Sequence, residues 1–398
     1  MIEYIILLGL LVFTFAAALF GIAIVRKVAL EMNLLDLPDE GRKQHRRPTP
    51  TLGGVGIFFG FAAGMIGLYL IQSFLPVAVT WPKSALWISA VVMLGAGIYD
   101  DTRNLGFKRK FILQIAVAYV LLFGGFRINV VGLPFVGDEP FQQALVAIPI
   151  TLLWIVGVIN AVNLIDGLDG LAAGVSIIAF AYLALIFSFQ GGIGIVLPAL
   201  VMVGALAGFL VYNFNPARIF MGDSGSLFLG VMLAAYSLQG QVNLDPLLSF
   251  LTLVAVLGLP LLDVGFSILR RLINGRAIFA PDDDHIHHRM VRRWSHRRAV
   301  LLLYAVATVF GTVAVLMAIA TPTTGFLLFG LALSLSCIGL MRLRSVRHHY
   351  TRPFLKGFMG GDTSSKHRSP EGNGAIEHHP SDGDEVTDHS LAPFEHVG

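Results

Sequence analysis

The chain has 398 residues, 55% hydrophobic and 13% charged, with a formal net charge of +3 and a mean hydropathy of +0.74. That balance excludes a soluble globular protein, and nothing in it points to nucleic acid. It describes a polytopic, all-α membrane protein, because a bilayer core takes roughly 20 apolar residues per helical span.

In chain order, about eleven such spans are expected, starting near Tyr4, Leu52, Ser84, Phe111, Gln143, Asp169, Ile193, Gly225, Leu248, Ala299 and Thr323. The segments near Ser84 and Gly225 are short. Glu3 precedes the first apolar run and Arg26 and Lys27 follow it, the reverse of a signal peptide's charge order, so the first run is expected to stay as a span. With the N-terminus outside, the loops after odd-numbered spans and the C-terminal segment collect 26 of the 28 Lys and Arg residues, leaving only Lys83 and Arg127 on the other side. This asymmetry predicts an outside N-terminus and a cytoplasmic C-terminus.

Residues 1–345 are thus expected to form one transmembrane domain. Residues 346–398, rich in His, Asp, Ser, Gly and Pro, are expected to form a disordered cytoplasmic tail, since they cannot bury enough apolar surface to fold alone. Cys337 is the single cysteine, so no internal disulfide exists, and no thiol stands near the polar loops.

Five polar clusters all fall on the predicted cytoplasmic side: "GRKQHRRPTPTLGG" (41–54), "DDTRNLGFKRKFILQ" (100–114), "NAVNLIDGLDGL" (160–171), "NFNPARIFMGDSGS" (213–226) and "PDDDHIHHRM" (281–290). In the third, Asn160, Asn163 and Asp166 step by three, which on a helix gives one arc of about 120° bearing oxygen ligands. Helix capping would explain one or two of these polar residues but not all of them. Asp100 and Asp101 close an apolar run, and their mutual repulsion is relieved by a cation or by Lys108, Arg109 and Lys110 nearby. With the acids beside it, the basic run reads as a phosphate site rather than an ordinary positive flank.

"GDSG" is familiar from secreted serine proteases, but a lone motif of this kind is weak in a membrane loop. There Asp223 offers a hard anionic oxygen, the glycines admit a phosphate, and Phe220 offers a face for a base or, equally, for lipid. His285, His287 and His288 are spaced i, i+2, i+3, which does not put all three on one helical face as zinc ligands would require. Imidazoles contacting a diphosphate fit better. Asp263, inside an apolar run, is an intramembrane acid expected to face the bundle interior.

The ordered set "RKQHRRPTP", "DDTRNLGFKRK", "NAVNLIDGLDG", "FMGDSGS" and "HIHH" resembles the polyprenyl-phosphate N-acetylhexosamine-1-phosphate transferases over roughly residues 20–345. The resemblance implies ten or eleven transmembrane helices, a cytoplasmic active site, a bacterial inner-membrane location and dependence on Mg2+, or Mn2+ in its place. "HIHH" and "RKQH" look like the branch that moves GlcNAc-1-phosphate from a UDP-N-acetylhexosamine to undecaprenyl phosphate, the first lipid-linked step toward O-antigen, enterobacterial common antigen or wall teichoic acid. A homodimer is compatible with it. The branch acting on UDP-MurNAc-pentapeptide typically carries three consecutive histidines.

By this resemblance Asp100, Asp101, Asp166 and His287 are catalytic, with Asp100 the base or positioner for the lipid phosphate. Asp223, Asn163 and Asp166 hold the metal. Lys43, His45, Thr49, Lys108, Lys110, Asn160, Asn213, Phe220, His285 and His288 contact substrate. Two departures concern the sugar nucleotide: Gly41 lengthens the first motif by one residue, and Asp283 stands where the family often has Arg.

The reaction so implied is phosphoryl transfer, in which alignment and charge neutralisation matter more than covalent chemistry by side chains. A secondary transporter is the rival class; it would place polar residues near the bilayer midplane between broken helices, and no internal repeat is evident. A lipid-binding scaffold without turnover is the other.

Overall fold

In the computed structural model the described residues are 2–37, 48–74, 79, 83–131, 136, 137, 139–189, 193–239, 245–275 and 285–345. Apart from a two-residue ribbon they are helical: α1 (Ile2–Glu31), α2 (Gly53–Ile71), a 3-10 turn (Gln72–Phe74), α3 (Ser84–Arg103), α4 (Phe107–Phe123), α5 (Pro140–Ile165), α6 (Leu171–Phe189), α7 (Ile193–Asn213), α8 (Gly222–Gln239), α9 (Pro246–Val256), α10 (Gly258–Ile273), α11 (Ile286–Val291), α12 (His296–Ile319) and α13 (Pro322–Ser345). In the ribbon, β1 (Leu35–Asp36) runs antiparallel to β2 (Thr49–Pro50), with Leu35 opposite Pro50 and Asp36 opposite Thr49. The expected tail, residues 346–398, lies outside the described residues.

A helix stands at each of the eleven expected places, the ninth broken into α9 and α10. Among the described residues, however, seven helices (α1, α2, α5, α6, α7, α12 and α13) are long and apolar enough to cross a membrane, or eight if the bent α9–α10 pair is one span. The expected count of eleven is therefore not reached by length and composition. The exceptions have physical causes. α4 is only 17 residues long, α3 ends in the charged run "YDDTR", and α8 is enclosed by other helices.

That enclosure organises the molecule. Every residue of α8 from Ser224 to Leu238 is buried, with α2, α3, α5 and α6 packed around it. A helix shielded from lipid needs no uniform apolar surface, so Ser224, Ser226 and Ser237 are tolerated. Ser237 Oγ accepts the indole N–H of Trp154 in α5 at 3.0 Å. The start of α8 is gripped by the backbones of α2 and α3. A methyl group at Gly54 would fall 2.1 Å from the Gly225 nitrogen, and one at Gly97 would fall 2.3 Å from the Ser224 Cα. Gly54→Ala is expected to force α2 off α8 and to lower the thermal midpoint in detergent, on the scale of other overpacking changes, about 1–3 kcal/mol or more.

The α9–α10 break bends the chain by 88°. α9 begins as its sequence dictates: Asp245 accepts from the amides of Leu247 and Leu248, with Pro246 in the first turn. It ends at Leu257, and "GLP" opens α10, where the missing N–H of Pro260 falls among the donors that lack helical partners in any case.

Candidate active site

Helix ends and loops meet around a cavity of about 900 Å³, within the range of small-molecule sites. Its wall includes Asp36 and Thr49 of the ribbon, Asp101 at the end of α3, Asn163 and Asp166 at the end of α5, Gly167 to Asp169, Asn213, Asn215 to Ala217, Phe220 to Asp223, His288 of α11 and His296 of α12. All five polar clusters read from the sequence therefore reach this wall. The first does so only through Thr49 and Thr51, since Gly41, Lys43 and His45 lie outside the described residues, as does Asp283.

The acids occupy distinct roles. Asp223, in the first turn of α8, accepts from Asn163 Nδ2 at 3.0 Å and from Lys110 Nζ at 2.7 Å. Asn163 Nδ2 also reaches Ser226 Oγ at 2.8 Å, fixing the amide. Asp166 follows the last residue of α5 and is partly buried. Its removal from water, and then the charges of Asp223, Asp101 and Asp169, push its carboxyl well above the usual range. Crowded acids of this kind could hold a cation.

Asp101, expected to be catalytic, stands on the cavity wall. Its two oxygens accept the backbone N–H groups of Asp223 at 2.7 Å and Ser224 at 3.1 Å. Asp101 thus caps α8 from another helix, which satisfies donors that have no partner in the helix itself. Asp101→Ala is expected to cost about 1–2 kcal/mol of stability, read as a lower thermal midpoint, and to impair turnover indirectly through Asp223.

Asp100, expected as base or positioner, lies one residue earlier. It is absent from the cavity wall; Oδ1 accepts the Leu105 amide at 2.7 Å and Oδ2 meets Lys110 Nζ at 3.0 Å. It closes the α3–α4 turn and holds Lys110 between two carboxylates. Neither Lys108 nor Lys110 is on the wall; Lys108 is exposed, whereas Lys110, pointing another way from α4, reaches Asp100 and Asp223.

Both amides expected at the substrate are hydrogen-bonded within the protein, Asn213 while lining the cavity. Asn160 donates to Gln114 Oε1 at 2.6 Å and to the Val156 carbonyl at 2.8 Å, tying α5 to α4 away from the cavity. Asn213, 3% exposed, accepts the Gly170 amide at 2.9 Å and donates to the Ile219 carbonyl at 2.9 Å. It latches the turn after α5 to the loop after α7. Phe220 does line the cavity, its backbone held by the Pro50 carbonyl at 2.8 Å and by the Gly53 amide at 2.9 Å.

Of the three histidines, only His288 reaches the wall; His285 and His287 are buried behind it. Burial, then the neighbouring His287, His285 and Arg292, hold the His288 imidazole down to about 4. It is therefore neutral near neutral pH, and offers the cavity a hydrogen-bonding group and not a positive charge. Asp263 is buried and faces the interior as expected. The "GDSG" serine, Ser224, is fully buried within α8 and turned to the Met221 carbonyl, unlike a nucleophile.

Some wall residues were missed by the sequence reading. Asp169 accepts from Asn215 Nδ2 at 2.8 Å and the Ala217 amide at 3.0 Å, and its signal was present: it extends the three-residue step of Asn160, Asn163 and Asp166. Asp36 and His296 carried no such signal, because only tertiary packing brings the ribbon and the start of α12 to the cavity.

A family model described as Glycosyl transferase family 4 matches residues 84–241. A Bacillus subtilis (strain 168) protein named "Probable undecaprenyl-phosphate N-acetylglucosaminyl 1-phosphate transferase" is 36% identical over 301 residues, covering 75% of this chain and 81% of the relative. The "Decaprenyl-phosphate N-acetylglucosaminephosphotransferase" of Mycobacterium tuberculosis (strain ATCC 25618 / H37Rv) is 37% identical over 308 residues, 70% of this chain and 74% of its own. An Escherichia coli (strain K12) "Undecaprenyl-phosphate alpha-N-acetylglucosaminyl 1-phosphate transferase" is 29% identical over 304 residues, 73% and 78%.

Proposed function

The chain belongs to glycosyl transferase family 4, and from that premise we propose that it moves GlcNAc-1-phosphate from UDP-GlcNAc to undecaprenyl phosphate, releasing UMP. The observation that carries the reading is the meeting of Asp166, Asp223 and Asn163, with Lys110 behind them, in one cavity formed by helix ends. A long prenyl acceptor must stay in the bilayer while a UDP-sugar arrives from water, so the reaction needs a site at their boundary. The Lys and Arg census supports a cytoplasmic face for it, in an inner membrane spanned about eleven times.

Asp223 and Asp166 are the residues that would hold Mg2+ or Mn2+. Among the described residues no group of three or more His, Cys, Asp or Glu is arranged as a metal site. The pair nonetheless fits, because Mg2+ commonly takes only one or two carboxylates and completes its shell with water and substrate phosphates. When bound, the cation supplies neutralisation of the diphosphate charge.

The chain's own residues do the rest. Asn163 orients Asp223, and Lys110 adds positive charge where the diphosphate would lie. Phe220 offers a stacking face for the uracil, with Thr49 and His288 as hydrogen-bonding partners around the donor. A phosphate monoester has a second pKa near 6, so the acceptor is largely dianionic at neutral pH and needs little help losing a proton. This suits the placement of Asp100 behind Lys110, as a positioner.

The sign of a pH effect follows from Asp166. A carboxyl raised in the folded state stabilises the fold below its unfolded pKa, and that contribution is lost as pH rises through the folded value. Without divalent cation, the thermal midpoint in detergent is expected to fall as pH rises from about 4 toward neutrality, and added Mg2+ to restore it most at the higher pH. A Mg2+ effect equal at all pH values would contradict the assignment of Asp166.

The direct test is UMP release from UDP-GlcNAc by purified protein with undecaprenyl phosphate, with mass spectrometry of the lipid product across a panel of UDP-sugars that includes UDP-MurNAc-pentapeptide. Product carrying another sugar would move the chain to a sister specificity. No product from any donor would return it to the transporter or scaffold class. The cavity weighs against a transporter, since no residue of the broken α9–α10 pair lies on its wall.

A further inference from the structure

Asp263 sits in α10, 3% exposed, where an ionised carboxylate is costly unless donors surround it. The surroundings supply them. Oδ1 accepts the backbone N–H of Ile286 at 2.7 Å. Oδ2 lies 3.3 Å from Nδ1 of His287 and 3.3 Å from Nδ1 of His285. Ser267, one turn along α10, reaches His285 Nδ1 at 3.2 Å as well.

Two consequences follow. First, a carboxylate can only accept hydrogen bonds, so the His287 ring keeps a proton on Nδ1 and presents Nε2 on its opposite side. That side meets the turn after α5: a methyl group at Gly167 would fall 2.4 Å from His287 Nε2. Gly167 stands on the cavity wall next to Asp166. Second, Ile286 opens α11, and His285, the N-cap residue, makes no side-chain cap of its own. Asp263 supplies that cap from α10, and so sets the helix that carries His288 to the wall.

We infer that Asp263 is a positioning residue for the transfer, acting through His287: from inside the bent α9–α10 pair it fixes the Nδ1–H form of the ring, aims Nε2 at the Gly167 turn, and seats α11. This rests on the proposed function and adds to it a residue outside the cavity that governs what the histidine motif presents there. An acid that merely anchored α11 would make the same contacts but would not act through Nε2, and the two roles separate by experiment.

The experiment is a double-mutant cycle of Asp263→Asn with His287→Gln, the glutamine amide standing near the former Nε2 without needing Asp263. UMP release and thermal unfolding are measured on detergent-purified full-length protein. Asp263→Asn is expected to lower kcat roughly 10- to 100-fold with KM for UDP-GlcNAc changed less than about threefold, and to have less than about a threefold effect in the His287→Gln background. An equal loss in both backgrounds, or an unchanged kcat in the single variant, would overturn the inference.

Should Asp263→Asn fail to fold, His287→Gln is compared with His287→Asn, which keeps a donor for Asp263 but lacks Nε2. Gln is expected to be the more active; Asn as the more active would overturn the inference. If the wild type releases no UMP, the proposed function is what fails. The Asp263–His287 contact is then read from the thermal midpoints, where strictly additive shifts would overturn it and non-additive shifts support it.

Discussion

Replacing Asp223 with asparagine is expected to lower UMP release by about 100- to 1000-fold while shifting the thermal midpoint by only a few degrees. The substitution keeps size and shape, and an amide oxygen can still accept from Asn163, whose Nδ2 lies 3.0 Å from the present carboxylate. What disappears is the negative charge on the first turn of α8, the group that both pairs with Lys110 at 2.7 Å and is best placed to hold a divalent cation. A variant retaining Mg2+-dependent UMP release near the wild-type rate would remove Asp223 from the metal site. The same assay run with EDTA gives the limit that the variant should approach.

The second large effect is expected from Lys110→Met, about 100-fold in UMP release, set against less than about threefold for Lys108→Met. The two lysines are two residues apart in a basic run, and their sequence surroundings hardly differ. Their structural surroundings do. Lys110 joins Asp100 at 3.0 Å to Asp223 at 2.7 Å, so its loss leaves two partly buried carboxylates facing each other without compensation. Lys108 is exposed and bonded to neither acid. Equal losses for both variants, measured at saturating donor, would mean that the run acts as a diffuse positive surface and not through one bridging ammonium.

These contrasts show how far a linear reading carries. The apolar runs marked a helix at each of eleven places, because burial in lipid demands long apolar segments whatever the neighbours are. The number long and apolar enough to span was less legible. α8 is enclosed by other helices and α3 packs along it, and protein neighbours tolerate serines and acids that lipid would reject. The broken ninth element was read as a single run, since its 88° bend depends on how "GLP" is seated against α12, where Gly258 meets Phe310.

At the site, the residue types and their clustering were determined by the sequence alone: acids, amides, a basic run and imidazoles, held in loops between apolar helices. Chemistry that needs charge in a greasy chain leaves few places for it, so those residues stood out. The division of labour was decided only by the tertiary structure. Asp101 looks like Asp100 in the sequence, yet one caps α8 and the other holds Lys110. Asn163 looks like Asn160, yet only Asn163 reaches Asp223. A side chain's role follows from which donors and acceptors lie within about 3 Å of it; Asp101, Asn160 and Asn163 each find partners 46 to 123 positions away along the chain, whereas Asp100 meets Lys110 ten positions on.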